Sequence, residues 1–520
     1  MNEKLKNDLL NILNKLKISN GLYYLEEEFS IIVEIYDHII EILNTELEKY
    51  NWLELHKCIL YSYSDIINDM KQSNLINNYL SNNLKKLSFF IELNLIKKYE
   101  GTYKIDEESY KYLFDIVQFL YTLSEARSII NFTRKFRGNN IKGFYYLDVD
   151  INRINPIEFK LSDDYSHLID SKINTYYEHA VQMKYDDSKE LFENIGLKKE
   201  IENELGIDYF LLMTILNCLD NMSFQRKSNY IIEITYDELI LKIMDHYRGN
   251  KNKEYIDKIE RIIDFTILNT NEITNEKGKI KDYLSIDNNR LRKNRFDIRP
   301  IIKGKDNKLI FSTESLLIAS NKWLNSIEYF NFPYEDDNLK ESKKLLEIKK
   351  KQYEDNFTND IENILIEKGY QIRKEVYFDK VLGDSNLEYL GDYDIIAINN
   401  SKKIILLIEA KFIVPSVDIS HLISKQKEYY GLEDEILYTD INTTNPLNSH
   451  DKKQQRRINY FKSNYKDLLP KLNIAIDNNN EYRIISYMIF NRYFKPMFKK
   501  LEFEVLSFNE LKKLLDNNNI

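Results

Sequence analysis

The residues best suited to chemistry stand at the ends of two neighbouring apolar runs. In Gly391-Asp392-Tyr393-Asp394-Ile395-Ile396-Ala397-Ile398 two aspartates precede a strand-like stretch. After a short polar turn, Ile404-Ile405-Leu406-Leu407-Ile408 ends in Glu409-Ala410-Lys411-Phe412. Side chains alternate across a strand, so Glu409 and Lys411 share one face, and Asp392 and Asp394 share a face on the preceding strand. Hairpin pairing would set the two charged ends side by side. The run 404–408 reads as a strand buried on both sides, and closing it with a carboxylate and an ammonium is unfavourable unless they find partners.

Two carboxylates converging at a sheet end suit a hard divalent cation, which prefers oxygen ligands and keeps several waters. Such an ion orients a phosphate and lowers the pKa of a bound water. A lysine beside it can hold the attacking water and offset charge in the transition state. One Asp, one Glu and one Lys therefore suffice for metal-assisted phosphodiester hydrolysis. The plainer alternative is a surface ion pair between Glu409 and Lys411 at a sheet edge, which the five apolar residues leading into the pair argue against.

The flanking sequence predicts the elements that position these residues. One long helix, or two end to end, is expected over 336–368, with Leu339, Leu346, Tyr353, Phe357, Ile361, Ile364 and Leu365 on one face and Gly369 at its C-cap. Strands follow over 370–378, 392–399 and 403–413, helices over 418–430 and 451–469, strands over 482–490 and 502–508, and a short terminal helix. Strands interrupted by helices around an apolar central strand predict a mixed α/β sheet covered on both faces.

In this order the last third of the chain resembles the PD-(D/E)XK nuclease superfamily, the restriction-endonuclease-like fold, on the pattern Gly391-Asp392-Tyr393-Asp394-Ile395-Ile396-Ala397 and Ile408-Glu409-Ala410-Lys411-Phe412. The resemblance implies an α-β-β-β-α-β core, Asp394 and Glu409 as Mg²⁺ ligands (Mn²⁺ able to substitute), and Lys411 as the catalytic lysine. Asp394 rather than Asp392 takes the family aspartate position, since the apolar run starts directly after it. The family's first helix often offers a glutamate after an aromatic position. Here Thr358 follows Phe357, and Glu354 or Glu362 on the same face is the candidate extra carboxylate. Gln426 lies where relatives often place a polar helper, and a solvated helix face is the other reading.

Nothing comparable marks residues 1–340. Helical spacing of Leu5, Leu9, Ile12, Leu13 and Leu16, and of Ile31, Ile32, Ile35, Ile39, Ile42 and Leu43, predicts core faces of a bundle. A soft boundary falls where Gly138, Gly143 and Pro156 flank Phe144-Tyr145-Tyr146-Leu147-Asp148-Val149, a β-like run; helical patterning resumes over 165–247, and a hairpin is expected over 303–311. The expected layout is multidomain: a helical bundle region at 1–140, a mostly helical middle domain with a short β hairpin at 141–338, and the nuclease-like α/β domain at 339–520.

The chain has 520 residues, 43% hydrophobic and 30% charged, enough for several cores, and its formal net charge of −9 excludes a chain that is basic throughout. Local basic density remains. Arg290, Arg292, Lys293, Arg295 and Arg299 can track a phosphate backbone, with Arg292 and Arg295 as contacts, or serve as intramolecular partners for nearby acids. Lys452, Lys453, Arg456 and Arg457 open a basic helix, and Arg456 and Arg457 are candidate nucleic-acid contacts. Arg492, Tyr493, Phe494, Lys495, Phe498, Lys499 and Lys500 interleave bases with aromatics, which suits either stacking on single strands or loop packing. His421 and His450 stand alone in sequence and receive no role.

Two cysteines, Cys58 and Cys218, form no zinc spacing and fit reduced thiols. With no signal-peptide core and no apolar run near the ~20 residues that span a bilayer, a soluble, cytoplasmic protein is expected. The expected activity is Mg²⁺-dependent cleavage of nucleic acid, DNA before RNA, in a restriction-like or antiviral defence role. The helical region would select substrate or carry a homo-oligomer or protein-partner contact. The alternatives are an inactive nucleic-acid-binding module of the same fold and a helical protein-interaction scaffold.

Overall fold

The computed structural model describes residues 2–73, 78–137, 142–149, 157–161, 190–193, 195–221, 231–247, 253–269, 271, 292–414, 419–431, 449–474, 481–496, 501–517 and 520. The chain divides into two compact units. Met1–Arg134, Asn139–Lys160 and Met183–Leu346 make up the first, and Glu347–Ile520 is the body of the second.

The first unit is mainly helical. Asn2 accepts the Lys4 N–H at 2.8 Å and caps the helix Glu3–Leu16, whose inner face carries the expected Leu5, Leu9, Ile12 and Leu13. Leu25–Leu47, Trp52–Ser73, Asn78–Lys97 and Glu107–Arg137 follow. The β-like run is the strand Lys142–Val149, which pairs antiparallel with Gly21–Tyr24, so one sheet joins sequence from both sides of residue 140. The hairpin near 303–311 is Ile302–Lys303 against Lys308–Ser312, with Ile231–Thr235 on the other side of the latter. Within the helical run expected over 165–247 the structure has Leu197–Leu205, Tyr209–Asn221 and Tyr236–Tyr247; 162–189 lies outside the described residues.

Two expected nucleic-acid contacts are corrected here. Arg292 is buried and its Nη1 lies 2.8 Å from Glu92 Oε2, while the Phe296 N–H donates to Glu92 Oε1 at 3.1 Å. Arg295 is also buried and donates from Nη2 to the Pro333 carbonyl at 2.5 Å, with its Nε 3.5 Å from Asp297. Burial tends to push Asp297 up, but Arg295, Lys322 and Arg292 outweigh it and hold its carboxyl below the ordinary value. These arginines neutralise buried acids, the second of the two readings their sequence allowed. Arg290 lies outside the described residues.

The longer elements of the second unit come in this order: α1 (Lys340–Glu367, beginning in the first unit), β1 (Gln371–Tyr377), β2 (Asp392–Asn399), β3 (Ile404–Lys411), α2 (Ile419–Tyr430), α3 (His450–Lys471), β4 (Arg483–Phe490), β5 (Glu504–Ser507) and α4 (Phe508–Asp516), with a short helix, Phe378–Leu382, and a 3-10 turn, Ser385–Leu390, between β1 and β2. Gly369 closes α1 at φ 82°, where any Cβ would be strained, and the Tyr370 N–H reaches back to the Leu365 carbonyl at 3.1 Å. The sheet runs β5-β4-β3-β2-β1; β1, β2 and β3 pair antiparallel, and β3, β4 and β5 pair parallel. The expected mixed α/β sheet is therefore present, with β3, apolar from Ile404 to Ile408, at its centre.

Alternation decides what covers each face. Ile396, Ile398, Ile405 and Leu407 pack in one core with Phe461, Leu468 and Leu469 of α3. Beyond the end of β3, Phe412 meets Tyr353 and Phe357 of α1, each with ring centroids 6.4 Å away, and Phe357 meets Phe508 of α4 at 5.6 Å. Glu409 and Lys411 have the parity of Leu407, which turns them toward α3.

Candidate functional site

The site forms where β2 and β3 part. Their last paired residues are Ile395 and Ile408, and beyond them the ladder stops. Asp394 then turns its carboxylate across the gap, and Oδ2 accepts the N–H of Ala410 at 2.7 Å. Gly391, at φ 69°, supplies the left-handed turn that leads the chain into β2. On the other side β3 stays locked to β4, with Glu409 opposite Met488 and Lys411 opposite Phe490. Sheet geometry thus fixes Glu409 and Lys411 while leaving their ends free for other partners.

Asp394, Glu409 and Lys411, chosen from sequence, are brought together. Lys411 Nζ lies 2.6 Å from Glu409 Oε1 and 3.8 Å from Asp394 Oδ2. Glu409 is only 4% exposed. Burial pushes its pKa up, but Lys411 and Arg457 outweigh this and hold the carboxyl below its ordinary value. For Lys411, burial favours the neutral amine, while Glu409 and Asp394 more than reverse it and keep the ammonium. Asp394 lacks so close a cation. Burial, with the Glu409 charge added, pushes it up to about 7. Two like charges in one desolvated place separate in pKa, and here the carboxylate with the nearer cations is the one that stays ionised.

Arg457 is a correction. Expected as a nucleic-acid backbone contact, it is 4% exposed and its Nη1 donates both to Glu409 Oε2 and to the Asp392 carbonyl. Its helical phase explains this: Gln454, Arg457, Ile458 and Phe461 recur at spacings of three and four, and all are buried on α3. That spacing is visible in the sequence. Gln454 Nε2 donates to Ser486 Oγ at 2.7 Å, and Ser486 Oγ to the Leu407 carbonyl at 3.2 Å, tying α3 to the centre of the sheet. Arg456 and Lys453, on the same turns, are only half-buried.

Glu362 is also corrected. Its Oε2 pairs with Lys374 Nζ at 2.7 Å, and Lys374 stands opposite Ile395, whose side chain has the parity of the sheet face turned away from Glu409. Glu354 is paired with Lys350 at 3.1 Å, and Lys351, paired with Asp355 at 3.0 Å, is the residue of α1 that feels the Asp394 charge. Gln426 does not lie on a solvated face: it is buried and donates to the Lys495 carbonyl at 2.9 Å. Tyr430, beside it in the core, donates to the Phe494 carbonyl. In the mixed basic–aromatic segment, Arg492 and Phe494 are buried, in keeping with loop packing, and 497–500 lies outside the described residues.

Two residues near the site were missed. Tyr393 is buried edge-on to Phe378 (5.7 Å) and Phe461 (6.4 Å), and the Arg457 guanidinium lies 5.5 Å from its ring centroid. His450 opens α3, stacks on Tyr429 at 5.0 Å and lies close enough to feel the charges of Lys411 and Glu409. Burial, helped by Lys411, brings it down to about 4, so its imidazole is neutral at pH 7. Isolation in sequence concealed it, because its neighbours come from other elements.

Among the described residues no group of three or more His, Cys, Asp or Glu side chains is gathered to hold an ion. Mg²⁺ asks less of a protein: one or two carboxylates, with waters and substrate phosphates completing its shell. Asp394, with one backbone donor and a distant ammonium, has unused acceptor capacity of the kind such an ion takes. The carboxylate pair fits a divalent cation on that count. No helix among the described residues is long and apolar enough to cross a membrane.

Comparison with known proteins leaves the chain without a match: no family model matches it, and neither a curated protein nor a solved structure does.

Proposed function

We propose that the second unit is a metal-dependent nuclease that hydrolyses phosphodiester bonds, with DNA ahead of RNA as substrate. The observation that carries this reading is the meeting of Asp394, Glu409 and Lys411 at the parted end of β2 and β3, in a largely desolvated setting. The strand order and the Asp…Glu-x-Lys pattern support the resemblance to the PD-(D/E)XK nucleases and their restriction-endonuclease-like fold, and a restriction-like or antiviral defence role follows from that resemblance by analogy. Asp394 and Glu409 would hold Mg²⁺, and Mn²⁺ would serve in its place. A bound ion supplies Lewis acidity toward a phosphate and lowers the pKa of a water. Lys411, kept protonated by its two carboxylates, offers an ammonium to the attacking water or to the charge that develops on phosphorus oxygens. Asp394 would have to be ionised to serve as a ligand, and burial with the Glu409 charge pushes its pKa up to about 7.

A second reading has one observation in its favour. Both oxygens of Glu409 are engaged by cations of the same chain, as in a purely structural ion-pair cluster. An inactive nucleic-acid-binding module of the same fold would look like this. Incubating the full chain with supercoiled plasmid, linear duplex, single-stranded DNA and RNA, each with Mg²⁺ or with EDTA, separates the two. The nuclease reading requires cleavage of at least one substrate in Mg²⁺ only; binding without cleavage in any of them supports the module.

A further inference from the structure

We propose that Arg457 is a built-in counter-ion that competes with a divalent cation for Glu409, so that the cation and a nucleic-acid phosphate enter this site together. The inference rests on the nuclease reading and extends it to how the site is loaded. In the protein as it stands, the carboxylates of half-buried Asp394 and buried Glu409 face the cations of half-buried Lys411 and buried Arg457. With Asp394 ionised, two carboxylates meet two cations and the cluster is balanced. Inserting a divalent ion with nothing else moving would leave two surplus positive charges in a desolvated place, a strongly unfavourable arrangement. Metal binding therefore requires either the departure of one cation or the arrival of compensating negative charge, and a phosphate supplies that charge.

The identity of the cation that yields follows from the contacts. Lys411 is fixed on β3 two residues from Glu409, touches both carboxylates and is paired to β4 by its backbone. Arg457 comes from α3, on a separate element, and spends a single nitrogen, Nη1, on both Glu409 and the Asp392 carbonyl. Its Nε is buried without a hydrogen-bond partner, as is the Nε of the adjacent Arg456. An arginine with part of its donor fork unused is suited to bidentate binding of a phosphate, and a buried unpartnered donor gains free energy when it finds one. The Tyr393 ring beneath the guanidinium gives it a face along which to shift while staying in contact. A phosphate that draws Arg457 away frees Glu409 Oε2 for the metal. By linkage the metal must strengthen phosphate binding to the same extent.

The test measures Mn²⁺ binding by electron paramagnetic resonance on the full chain, alone and with a short phosphorothioate DNA duplex that resists hydrolysis. The wild type alone should bind Mn²⁺ weakly, Arg457→Gln about tenfold more tightly, and Arg457→Lys like the wild type, since the charge rather than the shape is what excludes the ion. The duplex should tighten Mn²⁺ binding to the wild type by a similar factor and to Arg457→Gln far less. Equal Mn²⁺ affinity of the wild type with and without duplex overturns the proposal, whether or not Arg457→Gln folds. Mn²⁺ binding to Arg457→Gln no tighter than to the wild type overturns it as well. Glu409→Gln separates the two layers. If it abolishes Mn²⁺ binding while the duplex has no effect on the wild type, the nuclease reading stands and only the role of Arg457 falls. If it leaves Mn²⁺ binding unchanged, the ion is not at Glu409 and both fall.

Discussion

Asp394 accepts, at 2.7 Å, the N–H of Ala410, the residue that separates Glu409 from Lys411. One hydrogen bond therefore sets the position of an acid on β2 against the two charged residues of β3, at the point where their ladder has ended. The strands must part there for the bond to form, and the carboxylate that makes it is left beside Glu409 with no close cation of its own.

Asp394→Asn should stabilise the metal-free protein while abolishing Mg²⁺-dependent cleavage. The native carboxyl titrates near 7, above its unfolded value near 4, so the folded state holds this proton more firmly. Its contribution to stability is complete below the unfolded value and declines as pH rises through 7. The variant should therefore gain about 1–2 kcal/mol over the wild type at pH 8 and little at pH 5. Urea denaturation of both proteins at the two pH values measures the difference; a gain that is larger at pH 5 would contradict it.

Phe461→Ala should lower the stability of the second unit by about 3–5 kcal/mol. Its ring is fully buried among Ile396, Ile405, Leu407 and Tyr393 and anchors the helix that carries Arg457. A shift of the urea midpoint below the equivalent of ~1 kcal/mol would mean that α3 is held by other contacts.

Arg292→Ala should destabilise the protein by about 3–5 kcal/mol, because the buried Glu92 loses the guanidinium that lies 2.8 Å from it. Replacing both residues by apolar ones should recover most of the loss. Nucleic-acid affinity and its salt dependence, measured on the folded fraction by fluorescence anisotropy, should stay as in the wild type. A reduced salt slope would return Arg292 to the substrate interface.

Arg456→Ala should do the reverse. It is half-buried on α3 beside the site, and its sequence marked it as a nucleic-acid contact. Loss of one phosphate contact should reduce the slope of log affinity against log salt by about 0.9, with stability changed by less than about 1 kcal/mol. An unchanged slope would place Arg456 outside the contact surface.

The sheet and the three central residues were legible because their signals are local. An apolar strand interior, alternation and a polar turn specify β2 and β3, and alternation alone puts Glu409 and Lys411 on one face. The partners of the charged residues were not legible, since they depend on which elements meet. Arg292 pairs with Glu92 from a distant helix, and Glu362 finds Lys374 across the sheet from the site. His450 reaches the cluster only because α3 starts beside the end of β3. A hint existed in two cases: Glu92 interrupts the apolar run Phe89-Phe90-Ile91, and Arg457 keeps phase with Ile458 and Phe461. A charge inside a buried stripe announces a buried partner, and that rule would have turned both arginines inward.

Central to the account is that Glu409 and Lys411 serve hydrolysis rather than structure. The most direct measurement is cleavage of plasmid DNA by the wild type, Glu409→Gln and Lys411→Ala, each in Mg²⁺ and in EDTA, with circular dichroism confirming that all three are folded. The wild type should cleave in Mg²⁺ only, and each variant should lose about a hundredfold or more of that activity. Undiminished cleavage in both variants, or cleavage by the wild type that persists in EDTA, would contradict it.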